Sequence, residues 1–428
     1  MLLTVFPKES NIGIRETIVN VIIGELAMNL MKKIYCRVFQ TCFRIAIPVL
    51  PYRNPKVLSS VKEIPEIIKD KGISSVLVVT DESLHRLGLL DELKTELEAA
   101  KISYTVYDKT VANPTIANVE EARALYIENR CDAIIGFGGG SPMDCAKAVG
   151  ARIVKPSQSI PKMKGILKIR KRLPLFIAVP TTAGTGSETT LAAVITDGET
   201  RHKFPINDFP LIPQYAALIP EVTKGLPPHI TASTGMDALT HAVEAYIGRS
   251  TTKETRQYAI EATKHIFRNI ETVYKNGNDL KARKNMLYAS FLAGKAFSKS
   301  YVGYCHAVAH SLGGKYNTPH GLANAVLLPY VLEAYGETVA SKLKQLAIAG
   351  GVVGEEVPEK EAAKAFIQKI RELNESMGIP TKLAGIKVED IQELARLAAK
   401  EGNPLYPVPK LMGAKELEQF YYAVMEEN

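Results

Sequence analysis

The sequence predicts an α/β domain with a parallel sheet, followed by an all-α domain. At 428 residues the chain is long for one hydrophobic core, so more than one domain is expected. Short β-branched runs alternate with helical segments from residue 72 onward, and strand patterns disappear after about residue 225. Gly and paired Pro interrupt the pattern at 221–229. The predicted units are an N-terminal amphipathic helical extension, the α/β domain and the helical domain, at residues 1–49, 50–224 and 225–428.

Apolar runs rich in β-branched residues define the strands of the α/β domain. They fall at 74–81, 102–108 and 131–140, and a fourth opens the segment 173–190. Segments with helical spacing follow the first three, at 81–101, 119–130 and 141–154. Two strand–helix–strand steps in succession predict a parallel, right-handed, Rossmann-like sheet.

Composition is that of an ordinary globular protein, with 46% hydrophobic and 23% charged residues, and argues against disorder. The net charge of +8 comes from one segment, 152–172, which holds eight basic residues and no acid. We interpret this segment as a solvated basic loop. Nucleic-acid binding would need aromatic residues or a motif beside it, so no nucleic-acid partner is predicted. Long-range attraction of an anionic ligand or membrane surface is a weaker alternative.

The N-terminal extension is apolar but broken by charges. Seven charged residues interrupt residues 12–47, so no run approaches the ~20 apolar residues that a membrane span needs. Residues 28–47 predict an amphipathic helix with a basic face, docked on the protein or on a partner subunit; peripheral membrane contact is the alternative. Five cysteines without paired short spacings indicate reduced thiols and a cytoplasmic location.

A glycine cluster joins the strand at 131–140 to the helix that follows. Three consecutive glycines, at 138–140, let the backbone approach a ligand, and Ser141 or Asp144 could cap the helix. The free N–H groups of that helix start suit a pyrophosphate. The spacing is not GxGxxG, and a tight turn needs glycine without any ligand. The strand–glycine–helix context favours dinucleotide binding.

Two other strand ends are expected at the same crevice. Asp81 could accept hydrogen bonds from an adenosine ribose, cap the next helix, or do both. A loop with Thr181, Thr182 and Thr185 offers hydroxyl and amide groups to a nicotinamide or phosphate. Turn chemistry is the alternative for this loop, and it explains the glycines better than the hydroxyl residues.

The helical domain carries two i, i+4 pairs of possible metal ligands. Asp237 and His241 lie in an apolar helix, His306 and His310 form the second pair, and His320 follows after a loop. One histidine in an apolar helix is more often a hydrogen-bonded core residue. Several histidines with a carboxylate indicate a divalent metal such as Fe(II) or Zn(II). Spacing does not tell which histidines are ligands, and Cys305 is interpreted as a packing residue.

Four motifs in this order resemble the iron-containing (group III) alcohol dehydrogenase family. They are GGGSPMD (138–144), PTTAGTGSE (180–188), TGMDALTHAVEAY (234–246) and HAVAHSLGGKYNTPHGLANA (306–325). The resemblance covers about residues 50–428 and implies the dehydroquinate synthase-like fold, with a metal between the two domains. It implies that the ligands are Asp237, His241, His306 and His320. His310 is then a free histidine beside nicotinamide and substrate, and a candidate for proton transfer.

The resemblance also assigns the cofactor site. The implied residues are Gly139, Gly140, Ser141 and Asp144 at the pyrophosphate, Thr181, Thr182 and Thr185 at the nicotinamide side, Lys203 on the cofactor, and Asp81 at the ribose. A carboxylate at residue 81 would repel a 2′-phosphate, which favours NAD over NADP. Residues 1–49 lie outside the common family core, and Ile219–Val222 stands where members often carry an aspartate.

The implied reaction is reversible hydride transfer between a small primary alcohol or diol and its aldehyde. Fe(II) is the implied metal, with Zn(II) as an alternative, and a homodimer is the implied assembly. The first rival is an enzyme of the related glycerol dehydrogenase or dehydroquinate synthase type. The second is a non-catalytic nucleotide- or metal-binding module attached to a membrane through residues 28–47.

Overall fold

The computed structural model of the chain describes residues 30–199 and 203–426. Within these ranges, six parallel strands form the main sheet, in the order β1-β9-β6-β4-β2-β3. Their bounds are β1 Lys56–Leu58, β2 Ser75–Val79, β3 Ser103–Tyr107, β4 Ala133–Gly138, β6 Leu175–Pro180 and β9 Tyr215–Ala217. Each of the four predicted strand segments contains one of these strands. The short outer strands β1 and β9 were not predicted.

Helices cover both faces of this sheet. Their bounds are α2 Glu63–Asp70, α3 Glu82–Arg86, α4 Asp91–Ala99, α5 Ile116–Glu128 and α6 Gly140–Val154. Strand β4 is buried along its whole length, since apolar clusters pack on either face. The single helix expected over 81–101 is divided in two, because Gly88 adopts a φ of +71° between α3 and α4.

A second, smaller sheet was not predicted. Among the described residues it has three strands in the order β5-β8-β7, with bounds β5 Gly165–Ile166, β7 Ala192–Thr196 and β8 Lys203–Asn207. Strand β5 comes from the basic segment. Six of the eight basic side chains there are exposed, as a solvated loop requires: Lys162, Lys164, Lys168, Arg170, Lys171 and Arg172. Arg152 is buried and pairs with Glu120.

The remainder of the described chain is helical, as predicted. The bounds are α7 Pro228–Ile247, α8 Lys253–Lys275, α9 Leu280–Ser300, α10 Tyr304–Tyr316, α11 His320–Tyr335, α12 Ala340–Ala349, α13 Glu359–Ser376, α14 Val388–Gly402 and α15 Ala414–Val424. Helix α7 packs against α8, α9 and α11, and it is buried on nearly every side. An apolar helix of this kind belongs at the centre of a bundle.

The N-terminal helix α1 occupies residues 30–46 of the range 28–47 in which a helix was predicted. The rest of the extension, residues 1–29, lies outside the described residues. Helix α1 docks on the protein: Arg37 donates to the carbonyls of Val408 and Pro409, and the ring of Phe43 packs on that of Tyr301. None of the helices in the described chain combines the length and hydrophobicity needed to cross a bilayer.

Candidate metal centre and nucleotide cleft

Three helices bring together the four residues that the resemblance implies as ligands. Asp237 and His241 project from successive turns of α7, His306 from the first turn of α10, and His320 from the start of α11. One oxygen or nitrogen atom from each lies within 4.8 Å of all the others. Among the described residues, no cysteine joins this group.

The carboxylate of Asp237 is at the centre of the group. Its Oδ1 lies 3.4 Å from Nε2 of His320 and 3.8 Å from Nε2 of His306, and its Oδ2 lies 3.9 Å from Nδ1 of His241. Two buried nitrogens, His241 Nδ1 and His306 Nε2, have no hydrogen-bond partner among the described residues. Unsatisfied polar atoms are costly in an interior. A divalent cation would satisfy both, so these residues fit the metal that the family implies.

The histidines are held in the neutral form that a cation needs. Burial lowers the pKa of His241, lowers that of His306 well below its ordinary value, and lowers that of His320 to about 4. A neutral imidazole offers a lone pair to a metal, whereas an imidazolium does not.

Two residues that the sequence did not identify orient these ligands. Glu244 accepts a hydrogen bond from Nδ1 of His306 at 2.6 Å, so that Nε2 faces the group without a proton. The same carboxylate accepts from the backbone N–H groups of Gly303 and Cys305, both at 2.8 Å. Burial raises its pKa to about 7, and the backbone donors oppose that shift. The amide of Asn324 donates to Oδ1 of Asp237 at 2.8 Å.

Spacing carries a signal for both orienting residues. Glu244 follows Asp237 by seven residues on α7, and Asn324 follows His320 by four on α11, so each shares a helix face with a candidate ligand and orients a candidate ligand of a neighbouring helix. Cys305, interpreted as a packing residue, is buried, and burial raises the pKa of its thiol well above its ordinary value.

His310 lies beside this group without joining it. Its ring stacks on that of His320, with centroids 5.1 Å apart and planes 18° apart. Its Nδ1 is 2.6 Å from a carboxylate oxygen of Glu401, a residue that the sequence did not identify. Burial alone would lower the pKa of His310, but the ion pair with Glu401 raises it. The side chain is 41% exposed and so remains accessible.

All the predicted nucleotide residues except Lys203 follow three adjacent parallel strands, so they share one edge of the main sheet, whereas Lys203 begins β8 of the smaller sheet. The glycine turn and the threonine loop lie against each other there. A Cβ added to Gly139 would lie 3.5 Å from Oγ1 of Thr182, and one added to Gly140 would lie 3.1 Å from Cγ2 of Thr185. The Thr182 hydroxyl is buried and has no hydrogen-bond partner among the described residues. A narrow lining with an unsatisfied hydroxyl fits a phosphate-bearing ligand.

The start of α6 differs from one expectation. Its N-cap is Gly139, with no side-chain cap, so the prediction that Ser141 or Asp144 caps the helix is wrong. Ser141 Oγ instead accepts from the N–H of Asn113 at 3.2 Å. Asp144 accepts from the hydroxyl of Ser187 and from the N–H of Val194. Both side chains therefore fix neighbouring loops and leave the N–H groups of α6 uncapped by side chains.

The two remaining cofactor candidates lie on different elements. Asp81 caps α3 by accepting from the N–H of Leu84 at 3.0 Å, one of the two roles considered for it. Nζ of Lys203 lies 3.4 Å from the carbonyl oxygen of Gly313, on α10 between His310 and His320. Burial lowers the pKa of Lys203.

The threonine loop also reaches the metal group. A Cβ added to Gly184 would lie 2.6 Å from Cβ of Thr234 on α7, the helix that also carries Asp237 and His241. This loop therefore extends from the sheet edge to the candidate metal ligands. The predicted nucleotide turn and the predicted metal group therefore both lie against the threonine loop.

Comparison with known proteins points to the family that the sequence motifs resemble. Residues 58–220 match the model for iron-containing alcohol dehydrogenase, and residues 231–425 match the C-terminal model of the Fe-containing alcohol dehydrogenase family. The 1,3-propanediol dehydrogenase of Citrobacter freundii is 37% identical over 383 residues, covering 89% of this chain and 98% of the relative. The NAD-dependent methanol dehydrogenase of Bacillus methanolicus is 35% identical over 347 residues, covering 80% and 90%.

Solved structures agree with this assignment. A crystal structure of 1,3-propanediol oxidoreductase superposes with a TM-score of 0.83 at 35% identity, covering 87% of this chain and 98% of that one. Two family models match consecutive parts of the chain, and its relatives align over most of their length. The chain therefore belongs to the iron-containing alcohol dehydrogenase family and is an oxidoreductase of alcohols and aldehydes.

Proposed function

We propose that the chain catalyses NAD-linked, Fe(II)-dependent interconversion of a small primary alcohol or diol and its aldehyde. The observation that carries this proposal is the convergence of Asp237, His241, His306 and His320 on one point. Relatives named for 1,3-propanediol and for methanol support a small primary alcohol as the substrate class. None of the relatives named above favours the rival reactions or a non-catalytic module.

The four ligand residues would hold the metal through one carboxylate and three neutral imidazoles. When bound, the metal supplies Lewis acidity toward the substrate oxygen, and the nicotinamide supplies or accepts hydride. Glu244 keeps Nε2 of His306 directed at the metal position, and Asn324 fixes the Asp237 carboxylate. Zn(II) prefers similar ligands and is the alternative ion.

His310 is proposed to move the alcohol proton. Its Nδ1 is occupied by Glu401, which leaves Nε2 for a substrate hydroxyl or a water molecule. The residue stacks on the implied ligand His320, so it lies within reach of whatever binds there.

An assay of metal content and turnover tests the ligand assignment. Protein purified without oxygen is analysed for iron and zinc, and NADH formation is followed with methanol, propane-1,3-diol and propane-1,2-diol. We expect His241→Ala to lose both bound metal and activity. His229→Ala, exposed in the first turn of the same helix, is the matched control and should keep both. Full metal content and activity in His241→Ala would refute the assignment.

NAD is proposed over NADP because Asp81, between strand β2 and helix α3, places a negative charge at the implied ribose position. Asp81→Asn removes the charge but keeps a good N-cap residue for α3. We expect the ratio of kcat/KM for NAD over NADP to fall about tenfold or more in this variant, with unchanged thermal stability. An unchanged ratio would show that Asp81 does not select the cofactor.

A cytoplasmic homodimer is proposed as the working form. The family resemblance supports the dimer, and the spacing of the cysteines supports a reducing compartment. Light scattering coupled to size exclusion would give the mass of the assembly, and a monomer mass would contradict the dimer.

A further inference from the structure

We propose that Glu401 is a positioning residue that fixes the imidazole of His310, and that helix α1 holds Glu401 in place through Tyr406. This inference rests on the proposed role of His310. Three contacts in series carry it, and they connect the N-terminal helix to the candidate metal centre. The first contact joins residues 91 positions apart, and the third joins residues at least 364 positions apart.

The first contact sets the rotation of the His310 ring. Stacking on His320, with planes 18° apart, fixes the plane of the imidazole but allows a half-turn rotation about the Cβ–Cγ bond, which exchanges Nδ1 with Cδ2. The 2.6 Å contact between Nδ1 and Oε1 of Glu401 fixes that rotation. The second ring nitrogen, Nε2, is then presented in one direction. A proton-transferring group needs this, because small errors of position cost large factors in rate.

The second contact fixes the carboxylate of Glu401. This residue lies in the last turn of α14, and its Oε1 also accepts from the hydroxyl of Tyr406 at 2.6 Å. Tyr406 is 7% exposed, so its ring is held by packing. Two donors on one oxygen restrict the carboxylate, which would otherwise sample several rotamers at the end of its helix.

The third contact attaches the segment after α14 to helix α1. The side-chain amide of Gln40, itself 3% exposed, donates to the carbonyls of Tyr406 at 2.8 Å and Pro404 at 3.2 Å. Arg37 donates to the carbonyls of Val408 at 2.8 Å and Pro409 at 2.9 Å. Its guanidinium also donates to Oε1 of Gln40 at 2.8 Å, which orients the Gln40 amide. Helix α1 thus holds the backbone of 404–409, the segment that carries Tyr406.

Aromatic packing supports the same connection. The ring of Tyr301 lies 5.0 Å from that of Phe43 on α1 and 6.4 Å from that of Tyr406. Helix α1 precedes residue 58, where the first family model begins. Helix α1, which lies outside the residues that the family models match, is therefore inferred to support Glu401, which lies within them.

Substitution at Glu401 tests the first two steps. We expect Glu401→Ala to lower kcat about ten- to a hundredfold, with a smaller change in KM and with unchanged metal content. Glu401→Gln keeps an acceptor oxygen for both His310 and Tyr406 and should retain activity within a few-fold of the wild type. Tyr406→Phe should give a smaller loss than Glu401→Ala. Wild-type kcat in Glu401→Ala, beside an impaired His310→Ala, would overturn the proposal.

A double-mutant cycle tests the role of α1. Gln40→Ala should lower kcat several-fold alone and have no further effect in the Glu401→Ala background, because both act through one imidazole. Lys32→Ala, exposed on the same helix, is the control and should match the wild type. If the fold-losses in kcat of Gln40→Ala and Glu401→Ala multiplied in the double variant, the two residues would act independently, and the connection between α1 and Glu401 would be overturned.

Crystal structures of the variants give a readout that does not depend on turnover. The His310 ring should rotate or show alternative positions in Glu401→Ala and superpose on the wild type in Glu401→Gln. An unmoved ring in Glu401→Ala would overturn the positioning role. If the wild-type protein turned over none of the alcohols, the proposed function would fail. The position of the His310 ring in the variant structures would still show whether Glu401 positions that ring.

Discussion

Glu244 shows how much one buried side chain contributes at the residue scale. Its carboxylate orients His306 and accepts from the backbone N–H groups of Gly303 and Cys305, at the start of α10. The same residue therefore sets both the direction of a ligand and the position of the helix that carries it. A neutral amide cannot serve all three donors, since its nitrogen is itself a donor.

Replacing Glu244 by Gln should weaken metal binding. We expect about a ten- to hundredfold loss of affinity, as for other residues that orient metal ligands. Competition with a chromogenic chelator measures this, with Glu261→Gln on α8 as a control. Equal affinities in Glu244→Gln and the wild type would show that His306 needs no orienting carboxylate.

Glu188 predicts a pH effect on stability. Burial raises its folded-state pKa to about 7, although Lys147 opposes the shift. The folded carboxyl therefore keeps its proton in a range where the unfolded one has lost it. Its contribution to stability is complete below the unfolded pKa of 4.5 and is lost as pH rises through about 7.

Glu188→Gln removes this titration. The melting temperature of the variant relative to the wild type should therefore rise between about pH 5 and about pH 8. Thermal unfolding at both pH values measures the difference, and Glu199→Gln, exposed in a turn, is the control. If the melting temperatures of Glu188→Gln and the wild type changed with pH in parallel, the raised pKa of Glu188 would be contradicted.

At the scale of elements, helix α6 is attached to its neighbours by one buried lysine. Nζ of Lys147, with no exposed surface, donates to the hydroxyls of Ser187 and Thr190 at 2.8 and 2.9 Å, and to the carbonyl of Ala192 at 2.8 Å. These partners connect the nucleotide turn to the end of the threonine loop and to β7. The cation also lies 3.8 Å from the carboxylate of Asp144.

Replacing Lys147 by Met should destabilise the protein by about 3–5 kcal/mol, because the partly buried carboxylate of Asp144 would lose its cation and the three hydrogen bonds of the buried ammonium would be lost. Urea unfolding measures the change, and Lys69→Met, exposed on α2, should leave the midpoint where it is. A loss in Lys147→Met no larger than that of the control would indicate that the lysine is not required for this packing.

Sequence patterns located some elements well and others poorly, for physical reasons. The interior strands β2, β4 and β6 are continuous apolar runs, and the motifs on α7 and α10 have helical spacing, so both were predictable. Strands β1 and β9 have only three residues each, too short for a periodic signal. Glu401 could not be found, because its partner His310 is 91 residues away and only the fold brings them together.

At the scale of the whole molecule, the candidate metal joins three helices. The candidate ligands come from α7, α10 and α11, so a bound ion would add a further link between elements that already meet through packing and through the hydrogen bonds of Glu244 and Asn324. An ion that binds the folded state alone stabilises it, by about 2.7 kcal/mol at a hundred times the Kd.

Removing the metal should therefore lower the unfolding temperature as well as abolish activity. We expect chelator-treated protein to melt several degrees lower and to recover on addition of Fe(II) without oxygen. Differential scanning calorimetry measures this, and Asp237→Asn should show little response to the ion. Identical melting of stripped and reloaded wild-type protein would contradict a structural contribution from the metal.

The docking of helix α1 has a consequence for the order in which the protein assembles. Its hydrogen bonds to the segment 404–409 connect residues 364 to 372 positions apart. A ribosome makes α1 early but its docking surface almost last, so the helix cannot settle until nearly all of the chain has emerged. Until then Cys36 and Gln40, which the docked helix buries, have no partner there, and this period is when chaperones would find that face of the helix exposed.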